Sequence, residues 1–218
     1  MNTCVETVIK QEGKMKKVLV TLIAAAVVSF GFAGVSFAGS SQTIAVNAAV
    51  PTVSGGLSLG LSKIDSKGTE ITTDDVWTIV PITNGIAFGT LTKDSTYKIF
   101  RGQYYYALDL GVEDNSGTVW TITHTISSVK KDATNNLDDN INVSFVKQVD
   151  ETTSTDLLKT SFKNSNSKAY TKTALSGGWL RIYYGIASGK GDNTGVTAIG
   201  LDKTAGTYAG SVTITLTP

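Results

Sequence analysis

Apolar residues recur at every second position along most of this chain. Ile44, Val46, Ala48 and Val50 alternate with small or polar residues, and Leu57, Leu59 and Leu61 with Ser58, Gly60 and Ser62. Tyr104, Tyr106, Leu108, Leu110 and Val112 share one parity; Trp120, Ile122, His124 and Ile126 share another, opposed by Thr121, Thr123 and Thr125. Ile141, Val143 and Phe145 follow, then Leu180, Ile182, Tyr184 and Ile186 against Trp179, Arg181 and Tyr183, and last Tyr208, Val212, Ile214 and Leu216. A period of two puts successive side chains on opposite faces of a strand, so each run has one face for a core and one for water. These segments are also rich in β-branched and aromatic residues, which suit a pleated surface.

Turn chemistry separates the runs. Glu113-Asp114-Asn115-Ser116-Gly117 reads as a hairpin, and Gly189 to Gly195 as a loop. Lys130–Asn140 and Asp150–Lys168 are polar and rich in Asn, Asp, Ser and Thr. The one helical fragment expected is a short one around Asp156–Phe162. Short strands without helices between them imply an all-β, antiparallel sandwich or barrel.

The N-terminus reads differently. Lys14, Lys16 and Lys17 precede an uncharged run, Val18 to Val28, and Ser36-Phe37-Ala38 places small residues before Gly39. This is the pattern of a secretory signal peptide over residues 1–38, with residues 1–14 an over-extended start ahead of Met15. Cys4, the single cysteine, would be lost with it. The expected secreted product spans an N-terminal strand, residues 39–54, and a sandwich domain, residues 55–218. It has no disulfide to lean on, so its core or its partners must stabilise it. It would be secreted, with no membrane contact after cleavage.

Several functions are excluded on composition. Nineteen Lys+Arg against 18 Asp+Glu argue against a nucleic-acid binder that works through a basic face. One His and one Cys cannot build a multi-histidine or cysteine-rich metal site. His124 lies mid-strand on an apolar face, which reads as a half-buried structural histidine rather than a general base. No Gly-x-Ser-x-Gly elbow or phosphate loop is present. The carboxylate pairs Asp74/Asp75, Glu113/Asp114 and Asp138/Asp139 sit in turn-like stretches, and Asp109 on the solvent side of a strand, so all read as surface charge. Asp132–Asn140 and Asp192–Asn193 offer oxygens but lack an EF-hand pattern. No enzyme, cofactor or metal is expected. Core packing accounts for most aromatics, but the parity of Tyr105 and Tyr183 turns them away from the apolar face, which makes them the candidate ligand-facing pair.

Two stretches read together: Gly85-Ile86-Ala87-Phe88-Gly89-Thr90-Leu91, and Arg181-Ile-Tyr-Tyr-Gly-Ile-Ala-Ser-Gly leading through a loop to Ala205-Gly-Thr-Tyr208-Ala-Gly-Ser-Val212-Thr-Ile214-Thr-Leu216. They resemble the spore coat protein U domain family, which includes pilus subunits of archaic chaperone–usher systems. The resemblance implies an immunoglobulin-like sandwich that lacks one strand, completed by the N-terminal extension of a neighbour. Ile44, Val46, Ala48 and Val50 would be the donor-strand anchors, and Tyr208, Val212, Ile214 and Leu216 would border the groove. Pro51 and Gly55-Gly56 would form a hinge. Partners would be like subunits, with a periplasmic chaperone and an outer-membrane usher, and the product would pass through the periplasm to the cell surface. Two alternatives stand beside this. Residues 41–53 could be the first strand of a self-contained sandwich, or the domain could be a carbohydrate-binding or adhesive module using exposed aromatics.

Overall fold

The structure, a computed structural model, describes residues 41–49, 57–66, 74–112 and 119–217, the first stretch at the level of its backbone. The expected signal peptide, Val50, the Pro51–Gly56 hinge and the Glu113–Gly117 hairpin lie outside the described residues. The chain divides into two units, Met1–Phe37 and Ala38–Pro218, and every described residue belongs to the second.

Thirteen strands occur among its described residues: β1 (Ser41–Ala49), β2 (Leu57–Asp65), β3 (Val76–Val80), β4 (Ile86–Asp94), β5 (Ile99–Arg101), β6 (Tyr104–Val112), β7 (Thr121–Lys130), β8 (Ile141–Gln148), β9 (Ser154–Ser161), β10 (Lys168–Thr171), β11 (Trp179–Ile186), β12 (Ile199–Gly200) and β13 (Thr207–Thr217). A seven-stranded sheet, sheet A, has the order β10-β7-β13-β1-β4-β5-β12. A six-stranded sheet, sheet B, has the order β3-β2-β6-β11-β8-β9. All pairings are antiparallel except one, β1 with β13.

The two sheets stack as a β-sandwich-like pair because each has one apolar face to bury. On β11, Leu180, Ile182 and Tyr184 are buried while Trp179, Arg181 and Tyr183 alternate with them at the surface. On β7, Trp120 leads into buried Ile122 and His124. Phe88 of β4 meets Tyr106 of β6 edge-to-face at 5.7 Å, and the Tyr106 hydroxyl donates to the Ala87 carbonyl at 2.6 Å, which ties the sheets at one end. Among the described residues, no helix is long and apolar enough to cross a membrane.

One expectation fails. Asp156–Phe162 is not helical, since residues 154–161 form β9 at the edge of sheet B. Its pairing with β8 shifts register between Phe145 and Val146. The bulge leaves the adjacent Leu157 and Leu158 both half-buried, and such a doublet breaks the period of two that marks a strand.

Candidate functional site

Two places depart from what a plain sandwich requires. The first lies inside sheet A. β1 fills the space between β13 and β4, parallel to the former and antiparallel to the latter. Without it, sheet A would be two separate three-stranded pieces, β10-β7-β13 and β4-β5-β12. Register sets Ile44, Val46 and Ala48 opposite Tyr208, Gly210 and Val212. Tyr208, Val212 and Ile214 are fully buried and Leu216 is half-buried, so this parity of β13 faces the core.

Both borders of that space are shaped by glycine. On β4, Ile44 pairs with Gly89 and Ala45 with Ala87, which leaves Phe88 as the extra residue of a bulge. Gly89 holds φ +72°, a left-handed conformation that a side chain would strain. On β13, a Cβ at Gly210 would come within 2.8 Å of the Val129 side chain and 2.9 Å of two β7 carbonyls, so only glycine permits the close approach.

The second place is the outer face of sheet B. Asp109 of β6 and Arg181 of β11 are direct cross-strand partners. Arg181 donates from Nε to Oδ1 at 2.7 Å and from Nη2 to Oδ2 at 2.9 Å. Trp179 Nε1 donates to the same carboxylate at 2.8 Å. The expected solvated charge at Asp109 is therefore a two-pronged ion pair with an indole donor, made because strand register puts the three side chains on one face. The guanidinium carbon then lies 5.4 Å from the Trp77 ring centre, 5.9 Å from Trp179 and 6.0 Å from Tyr183. A cation so placed is attracted by all three ring faces.

Tyr105 and Tyr183 meet on this face, with ring centres 6.3 Å apart. Trp77 of β3 stands edge-on to Tyr183 at 6.4 Å and 79°. The Tyr105 hydroxyl donates to Asp75 at 2.5 Å. Burial first, and the Asp75 carboxylate second, push the Tyr105 hydroxyl far above its ordinary range, so it stays a neutral donor. Register sets Ile64 between Trp77 and Tyr105, and Ala107 beside Tyr183. Both are fully buried, although they lie on the face opposite the core. The rings thus roof a small second apolar layer. Parity alone identified Tyr105 and Tyr183; Trp77 was not distinguishable, because every residue of Val76-Trp77-Thr78-Ile79-Val80 suits either face of a strand.

The remaining chemistry is inward-looking. His124 is fully rather than half buried. Its Nδ1 lies 2.9 Å from the Ser165 carbonyl, which can only accept, so Nδ1 carries the proton and Nε2 accepts from the Tyr184 hydroxyl at 3.0 Å. Burial lowers its pKa to about 4, and it joins sheet A to sheet B as a neutral ring. Asp132 accepts from Asn135 and Thr134, and these bonds lower it to about 2. Asp192 accepts from Asn142, Ser188 and Gly189. Asp132 thus serves its own turn, Asp192 serves its turn and β8, and no group of three His, Cys, Asp or Glu able to hold a metal occurs among the described residues.

The fold and these features define an all-β protein of two stacked antiparallel sheets, one containing an inserted N-terminal strand. Comparison with known proteins finds no matching family model, no matching curated protein and no matching solved structure.

Proposed function

We propose that this chain is a secreted structural subunit of a surface fibre or pilus-like assembly, built on an immunoglobulin-like sandwich and polymerising by N-terminal strand donation. The observation that carries the reading is the position of β1. The strand nearest the N-terminus, among the described residues, is the one that joins two otherwise separate halves of sheet A. A neighbour's copy of the same segment can fill the same space, since main-chain hydrogen bonds and every second side chain are all that the space reads. Ile44, Val46, Ala48 and Val50 act as anchors, and β13 from Tyr208 to Leu216 forms one wall. Each fully buried aliphatic anchor contributes about 1.5–3 kcal/mol, offset by the cost of ordering the strand. Like subunits are the main partner, with a periplasmic chaperone and an outer-membrane usher assisting assembly.

Val46→Asp in the full chain tests this. The charge would have to be buried beside the wall of the groove, so the variant should yield no filaments by negative-stain microscopy and no high-mass species by size exclusion, whereas the parent chain gives both. Polymerisation unchanged by the substitution would refute strand donation. A parent chain that stays monomeric would assign β1 to its own domain.

A further inference from the structure

We propose that the outer face of sheet B carries a binding site for neutral saccharides, formed by Trp77, Tyr183 and Tyr105 with Asp75 at its rim. The inference does not depend on how subunits assemble.

Exposure is the starting point. Trp77 keeps 46% of its surface open to solvent and Ile79 of the same strand 87%, on a face where Ile64 and Ala107 are fully covered. Folding therefore explains a covering ring, but not an indole left half in water. Trp77 and Tyr183 stand at 79° and form a corner rather than a flat stack. Tyr105, tilted 48° from Tyr183, extends that corner toward Asp75. A corner of ring faces accepts one compact ligand with an apolar side.

The cluster is also rigid before any ligand arrives. Arg181 is pinned by Asp109 at two points and lies against Trp77 and Tyr183, so two of the three rings share one fixed centre, while the Tyr105 hydroxyl is held by Asp75. Preorganisation of this kind reduces the ordering cost of binding.

Charge selects the ligand class. The negative ring faces alone would attract a cation, yet the guanidinium of Arg181 already occupies that position against Trp77 and Tyr183. The Arg181 charge is itself matched by Asp109, so it does not recruit an anion. Asp75 accepts one bond from Tyr105, and a carboxylate has room for further donors, which makes the rim an acceptor that disfavours anions. An uncharged ligand remains, one with a C–H face to lie on the rings and hydroxyls to donate to Asp75. A pyranose sugar has both.

The test is capture of the full chain on beads bearing a neutral glucan or a neutral galactomannan, with alginate beads as the anionic comparison and soluble fragments of each polysaccharide as competitors. The parent chain should bind at least one neutral polysaccharide and be released by its fragments. Trp77→Ala should bind at least about tenfold more weakly, the size expected from removing one ring of a small aromatic site. Tyr105→Phe, which keeps the ring and removes only the hydroxyl that holds Asp75, should weaken binding less. Tyr97→Ala, an exposed aromatic on the turn before β5, should change nothing. Circular dichroism of each variant should match the parent. No capture on either neutral polysaccharide, capture on alginate alone, or full binding by a folded Trp77→Ala would each overturn the proposal.

Discussion

Sheets A and B share one inner rule and differ on the outside. Both turn an alternating apolar face to the common core, and His124 of one meets Tyr184 of the other there. On the outer face of sheet A, β7 and β13 align hydroxyls: Ser127 with Ser211, Thr125 with Thr213, Thr123 with Thr215 and Thr121 with Thr217. These small side chains suit a strand surface in water. On sheet B the corresponding face carries the Asp109–Arg181 pair and its rings. Core packing makes the same demand of both sheets, so it cannot account for the difference. What sets sheet A apart is the place of β1 between β13 and β4, and what sets sheet B apart is its aromatic outer surface.

The comparison can be tested by perturbing each part separately. The largest effect is expected where the sheets meet. His124 has a pKa of about 4 in the folded chain and an ordinary value of 6.5 unfolded. Between those values the unfolded chain takes up a proton that the folded chain refuses. Stability is therefore full above about pH 6.5 and falls as pH drops toward 4, by roughly 3 kcal/mol in all. Asp132 and Asp150, both held at about 2 by turn hydrogen bonds, give up their contribution only below their ordinary 3.8, so the upper window belongs to His124. Urea denaturation from pH 7 to pH 4 should show this slope, and His124→Gln should flatten it. A parent chain equally stable across that range would contradict the neutral bridge.

A smaller effect is expected on the outer faces, and it should be unequal. Asp109→Ala leaves a half-buried guanidinium and an indole donor without their acceptor, at a cost of about 1–3 kcal/mol. Ser127→Ala removes an exposed hydroxyl contact to Ser211 and should change stability by no more than about 0.5 kcal/mol. Equal losses by urea denaturation would mean that the two faces do not differ as described.

Much of this molecule was legible from alternation, and what was not has physical causes. β11 alternates buried and more exposed residues throughout, and β2, β6, β7, β8 and β13 do so over most of their length, so their parity was readable, although Ile64, Ala107 and Val146 are buried on the other parity. β3 is apolar on both faces, and β5, β10 and β12 are too short to show a period. In β9 a bulge sets Leu157 beside Leu158, and the pattern resembled a turn of helix. For the aromatic face, parity placed Tyr105, Asp109, Arg181 and Tyr183 on one side of their strands. Which of them touch depends on sheet order, and the pairing of β6 with β11 is a long-range fact that no local pattern encodes. The same holds for β1: its alternation was plain, but its place between the last strand and β4 is a property of topology.

That place admits a direct test in a Cys4→Ser background, by mixing chains that each carry one new cysteine. Ala45→Cys on one chain would be paired with Ala209→Cys on another, since Ala45 and Ala209 are partners in the parallel register. Ser211→Cys would serve as the second acceptor, to capture a donated strand that enters in the reverse direction. Cysteines in neighbouring strands approach closely enough to bridge. If β1 is supplied by a neighbour, non-reducing gels of the mixture should show a disulfide between the two different chains with one of the acceptors. If no mixed disulfide forms with either acceptor, and Ala45→Cys/Ala209→Cys placed on a single chain closes only within that chain, the strand completes its own domain and donation is excluded.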